Sequence, residues 1–186
     1  MALSHQALIE GCKAHKAAAQ RELYERFASK MLAVCHRYAY SNAAAEDMLQ
    51  EAFVKVFQKI GDYEDRGSLE GWIRRIVVNT AIDHIRKERN LRHQEQIEAA
   101  SQQEVSADVF ETLETEYLFR IIRELPDGYR IVFNLYAIEG YSHAEIGAQL
   151  NITESTSRSQ YARARALLME KIRGVYQETH YYRDAI

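Results

Sequence analysis

Proline occurs once and glycine eight times in these 186 residues. Little in the chain therefore interrupts a helix, and no stretch alternates Val, Ile and Thr in the two-residue period of a half-buried strand. Cysteine occurs twice. Cys12 and Cys35 are too few for a disulfide framework, and in a reducing compartment they read most simply as small buried side chains. No apolar run approaches the roughly 18 residues that a membrane span needs, and "MALSHQALIEGCKAHK" has neither the apolar centre nor the cleavage site of a signal peptide. A cytoplasmic protein is expected. What is present is 47% hydrophobic residues, enough for the cores of one domain or two small ones. With Ala, Leu, Ile, Glu, Arg and Gln frequent throughout, the expected fold is all-α.

From Ser4 to about Arg92 the pattern is helical, with breaks near Gly11, at "YSNA" (40–43) and at "GDYEDRGS" (61–68), which gives about four helices. Asn42 is the expected cap of "AAAEDMLQEAFVKVFQKI". There Met48, Ala52, Val56 and Ile60 fall four apart, joined by Leu49, Phe53 and Phe57, while Glu46, Asp47, Gln50 and Lys59 keep the opposite face. "WIRRIVVNTAIDHIRKERNLR" (72–92) carries six basic residues to two acidic ones behind a stripe of Trp72, Ile76, Val77, Ala81 and Ile85. It is a cationic helix. The stretch 93–116 inverts this, with seven acidic residues and no Lys or Arg, and reads as a linker that becomes helical near Phe110. A helix presenting Tyr117, Leu118, Ile121 and Ile122 then ends at Leu125-Pro126, because the residue before proline avoids the α region. "GYRIVFNLYAIEG" (128–140) is the next short helix.

"EGYSHAEIGAQLNITESTSRSQYARARALL" has the layout of two helices and a tight turn. Ser142 with Glu145 three places on forms a capping box, and Gly147 permits a close helix crossing. In "NIT", Asn151 tolerates the left-handed conformation, Ile152 plugs the core, and Thr153 caps the second helix with Glu154 at its positive end. At 100° per residue, Ser157, Tyr161, Ala164 and Leu168 share the inward face. The outward face centres on Ser155, Ser159, Ala162 and Ala166, flanked by Arg158 and Arg163. Small residues let the backbone sit deep in a major groove, and flanking guanidiniums reach guanine edges or phosphates. A generic basic helix is more often a solvated face. The preceding capped helix, the three-residue turn and the small-residue stripe favour DNA reading here.

"AAAEDMLQEAFVKVFQKIGDYEDRGSLEGWIRRIVVNTAIDHIRKERN" resembles region 2 of sigma-70 family initiation factors. "LPDGYRIVFNLYAIEGYSHAEIGAQLNITESTSRSQYARARALL" resembles their region 4. With these two regions alone, the chain is similar to the extracytoplasmic function (ECF) group. The resemblance implies two small helical domains, region 2 over residues 1–93 and region 4 over 113–178, with a linker at 94–112 and a tail at 179–186. It implies core RNA polymerase as partner, with docking on the beta-prime clamp helices through Asp47, Gln50 and Glu51, and a second contact on the beta flap. It places Tyr63 at the pocket for a base flipped from the minus-10 element, Arg75 and Asn79 at the melting duplex, and Arg158, Ser159 and Arg163 on the minus-35 element. Phe53 and Trp72 would be core. An anti-sigma factor, often membrane-anchored, is a further implied partner. Where the family often has Gly-Thr-Val-Lys/Arg-Ser-Arg, this chain has Ser155-Thr156-Ser157-Arg158-Ser159-Gln160: Ser157 replaces an apolar core residue and Gln160 a cation.

Two other readings compete. A free-standing helix-turn-helix regulator leaves the first half unexplained. A helical di-metal enzyme would use Glu46, Asp47 and Glu51, but none of the seven histidines lies three residues after a glutamate, and neither a P-loop nor an HExxH motif occurs. Cys12 with His15, and Cys35 with His36, are isolated pairs without a second Cys-x-x-Cys. No enzymatic activity, metal or cofactor is expected.

Overall fold

The computed structural model describes residues 3–95 and 113–183. Every regular element among them is helical: α1 (His5–Lys13), α2 (Ala17–Tyr38), α3 (Asn42–Lys59), α4 (Leu69–Glu95), α5 (Leu113–Arg123), α6 (Asp127–Phe133), α7 (His143–Leu150) and α8 (Glu154–Arg183), with a 3-10 turn at Ile60–Asp62 and a π turn at Asn134–Ile138. The chain divides into two compact units, Met1–Ser106 and Ala107–Ile186. Of the stretch read as a linker, residues 96–112 lie outside those described, Phe110 among them. The helix α8 runs on to Arg183, into the stretch set apart as a tail.

In the first unit, α2, α3 and α4 pack on one another and α1 packs on α2. Their shared core is aliphatic, with Leu8, Leu23, Met31, Met48, Val56 and Ile73 fully buried. The four-residue period of α3 delivers Met48, Ala52, Val56 and Ile60 inward as expected, and Phe53 is buried with its ring 4.7 Å from that of Tyr24. Asn42 is not the cap. It is the first helical residue, and Ser41 accepts the Ala44 N–H on its hydroxyl at 3.1 Å. Both cysteines are buried, and burial pushes the Cys35 thiol up to about 12.

The second unit builds its core from Ile121, Ile122 and Leu125 against Ala164 and Leu168 of α8. Arg130, whose side chain is 4% exposed, stitches the turn before α6: one guanidinium nitrogen donates to the Arg123 carbonyl at 2.9 Å and another to Asp127 at 2.8 Å. A C-terminal carbonyl of α5 that lacks a helical partner is thus satisfied by a cation. The helix expected over 128–140 divides instead into α6 and the π turn, which carries Tyr136 onto the ring of His143.

Candidate nucleic-acid interface

The α7–turn–α8 unit forms from its local chemistry. Ser142 Oγ accepts the Glu145 N–H at 3.3 Å and Glu145 accepts the Ser142 N–H at 2.8 Å, closing the capping box. Asn151 ends α7 in the left-handed conformation (φ 55°, ψ 47°). The Ile152 N–H returns to the Gly147 carbonyl at 3.0 Å, and Thr153 Oγ1 accepts the Thr156 N–H at 3.0 Å. A Cβ on Gly147 would lie 2.9 Å from the Ile152 carbonyl oxygen, so the chain reverses this tightly only over a glycine. Ile152 itself is half-buried.

Along α8, Ser157, Ala164 and Leu168 are buried and Tyr161 half-buried, while Ser155, Ser159, Ala162 and Ala166 are exposed with Arg158 and Arg163 on either side. The small-residue stripe therefore faces outward. Arg158 Nε donates to Glu154 one turn earlier at 3.1 Å, and an Arg163 nitrogen lies 3.4 Å from the Tyr129 hydroxyl. Ser159 donates its hydroxyl to the Thr156 carbonyl at 2.9 Å. Gln160 lies against α6, its amide nitrogen 3.5 Å from where a Cβ on Gly128 would stand.

The inward Ser157 has a partner that the sequence reading missed. His143 Nδ1 and Ser157 Oγ share a hydrogen bond of 2.9 Å, and both residues are buried. The imidazole also stacks on Tyr136, with ring centres 4.2 Å apart. Burial, and secondarily the charge of Arg158, lower the His143 pKa. A hydroxyl at an inward helical position was the available signal, because a buried hydroxyl needs a partner.

In the first unit, Arg75 and Asn79 stand one turn apart on the exposed side of α4. Trp72 is half-buried rather than core. Tyr63 is buried: its residue is 3% exposed, its ring leans on Trp72 at 5.4 Å, and its hydroxyl donates to the Gly67 carbonyl at 2.8 Å and to Asp65 at 3.1 Å. The ring supports the 63–68 loop from inside. On α3, Asp47 and Gln50 are exposed beside Val54, an apolar residue left 55% exposed. Glu51 is engaged within its own unit, with Lys55 at 2.9 Å, Lys87 at 3.6 Å and His84 at 3.9 Å. The hydrogen bond from Lys55 holds its carboxyl below the usual range against the opposing effect of burial. Glu51 ties α3 to the cationic face of α4.

Both units match known families. Residues 23–91 match the family description "Sigma-70 region 2" and residues 115–168 match "Sigma-70, region 4". The chain belongs to the sigma-70 family. Its curated relatives are ECF sigma factors. The ECF sigma factor SigE of Mycolicibacterium smegmatis is 29% identical over 85% of this chain and 63% of that longer protein. The sigma-E factor of Haemophilus influenzae is 28% identical over 91% of this chain and 96% of its own. A crystal structure of the sigma factor RpoE of Bartonella quintana, in complex with the anti-sigma factor NepR, shares the fold with a TM-score of 0.58 at 18% identity, over 82% of this chain and 96% of that one. The ECF sigma factor described here therefore directs promoter-specific transcription initiation. Because its two matched segments lie in different units, the free-standing regulator, which uses only the second, is not favoured. No helix among the described residues is long and apolar enough to cross a membrane.

Proposed function

We propose that this ECF sigma factor works in the cytoplasm without chemistry of its own, and that its three exposed surfaces divide the task of initiation. Asp47, Gln50 and Val54 on α3 meet the beta-prime clamp helices of core polymerase, and the second unit contacts the beta flap. Arg158, Ser159 and Arg163 read the minus-35 element. Arg75 and Asn79, with the loop supported by Tyr63, receive a base flipped from the minus-10 element. Glu51 sets the α3–α4 pairing behind the docking face. An anti-sigma factor, such as the one the Bartonella protein binds, is proposed as the regulator that competes for these surfaces, either free or membrane-anchored.

The observation that carries the reading is the exposed stripe of Ser155, Ser159, Ala162 and Ala166 between two arginines on the second helix of a capped helix-turn-helix. Extruding a base costs a few kcal/mol, which stacking and hydrogen bonds from an amide such as Asn79 offset. The formal net charge of -3 is no obstacle. Counterion release depends on local Lys and Arg, and these gather at 74–92 and 158–173. Polymerase brings two modest contacts to promoter spacing and makes one strong contact of them, as linked sites do. Run-off transcription with core polymerase on genomic fragments tests the proposal. Discrete start sites are expected only when both are present, and sequence-specific binding of equal strength without polymerase would return the protein to the free-standing regulators.

A further inference from the structure

The loop Tyr63–Ser68 is held both from within and from α1. Asp65 has a positive φ of 57° and Gly67 one of 96°, and a non-glycine residue in the left-handed region persists where its surroundings fix it. Inside the loop, the Tyr63 hydroxyl bridges Asp65 and Gly67. From outside, α1 grips the loop at Tyr63 and at Asp65. Lys13 Nζ donates to the Tyr63 carbonyl at 3.1 Å, and His5 Nε2 lies 3.3 Å from the Asp65 carboxylate. The two grips differ in quality. The His5 contact is largely solvent-exposed, whereas the Lys13 contact is part-buried. A lysine that donates to a backbone carbonyl fixes the chain itself, because that acceptor does not rotate away. The Tyr63 carbonyl stands where the chain leaves the 3-10 turn after α3, so its position sets the course of the loop toward α4.

We propose that α1 belongs to the base-receiving apparatus: Lys13 is a positioning residue that holds the Tyr63–Ser68 loop in the form that accepts an unstacked base. This rests on the proposed minus-10 site and adds to it a helix that precedes the segment matched to region 2. Lys13 touches no DNA. It acts through the backbone of Tyr63, and Tyr63 acts through the two positive-φ residues that shape the rim. Losing the grip frees the Tyr63 carbonyl while the hydroxyl bridge remains, so docking and minus-35 reading stay intact and the fraction of molecules ready to take a base falls.

The test uses full-length protein with core polymerase. Lys13→Met keeps the stem and removes the donor, Lys13→Arg keeps a donor, and Asn79→Ala reports on the site itself. Affinity is measured for core polymerase, for duplex carrying only the minus-35 element, and for a promoter whose minus-10 segment is already unpaired. Opening of the paired promoter is followed by permanganate reactivity. Lys13→Met is expected to bind polymerase and minus-35 duplex as wild type does, yet to lose about tenfold in affinity for the unpaired promoter, the scale of one charge-assisted hydrogen bond. Lys13→Arg should recover most of this. Wild-type behaviour of Lys13→Met while Asn79→Ala fails to open the promoter overturns the role of Lys13 and leaves the site standing. If both variants open promoters normally, the site reading itself falls. An equal loss by Lys13→Met on minus-35 duplex, or no recovery by Lys13→Arg, shows a general structural role and also overturns the proposal.

Discussion

His143 and Ser157 meet at 2.9 Å between the first turn of α7 and the first turn of the recognition helix, buried under Tyr136 and Tyr161. This polar contact joins the two helices. Ser157→Ala is expected to strand the imidazole nitrogen and cost about 1–3 kcal/mol of stability, as removal of one partner of a buried pair does. The pair His143→Phe with Ser157→Ala, which removes both polar groups, should recover part of that. Thermal unfolding of these two variants beside wild type measures it.

The same histidine predicts a pH dependence. Burial lowers its pKa in the folded protein below the ordinary 6.5, so between these two values the unfolded chain binds the proton and the folded chain does not. Stability is then complete above about pH 6.5 and falls as the pH drops through that value, levelling off below the folded pKa. A protonated ring would also sit at the positive end of α7. Melting temperatures of wild type and His143→Phe, taken from pH 7.5 down to 5.5, should converge in slope only if the histidine is not the cause.

Gly147 offers a steric prediction opposite in sign to helix propensity. Alanine is favoured over glycine by about 1 kcal/mol in an unconstrained helix. Here the new methyl would meet the Ile152 carbonyl oxygen at 2.9 Å and the Glu154 nitrogen at 3.4 Å. Both are backbone atoms of the turn and move only together with α8. Gly147→Ala is therefore expected to destabilise by about 1–3 kcal/mol and to weaken minus-35 binding. A stabilised variant with unchanged binding would show that the turn yields easily.

Much of this was legible beforehand because the deciding interactions are local. The capping box of Ser142 and Glu145, the left-handed Asn151, the cap at Thr153 and the helical periods of α3 and α8 each depend on neighbours within four residues. What escaped depends on chain segments brought together by folding. The His143–Ser157 bond spans 14 positions and the Lys13–Tyr63 contact 50, and no periodicity announces either. Glu51 illustrates the same limit from the other side. The motif marks it for a partner protein, yet the folded chain supplies Lys87 and His84 from α4 as its neighbours. Asn42 was displaced as cap by the adjacent Ser41, a difference of one residue between two good capping types.

Glu51 and Val54 yield the last prediction, because the structure separates two neighbours on α3 that the motif alone would treat alike. Glu51 faces α4 and shares its carboxylate between Lys55 of its own helix and Lys87 of α4, whereas Val54 points away from the core with over half its surface exposed. Glu51→Gln should lower stability by no more than about 1 kcal/mol, since the cluster is partly open to solvent and screened there, and should leave affinity for core polymerase nearly unchanged. Val54→Glu should do the reverse. It disturbs nothing buried, so the melting temperature holds, but it sets a charge in place of the apolar member of the face formed with Asp47 and Gln50. If that face docks on polymerase, desolvating the new carboxylate without a partner costs several kcal/mol and binding falls by two orders of magnitude or about that. Titration of labelled core polymerase with each variant decides between them. Strong loss with Glu51→Gln and none with Val54→Glu would move the docking face around the helix, toward α4.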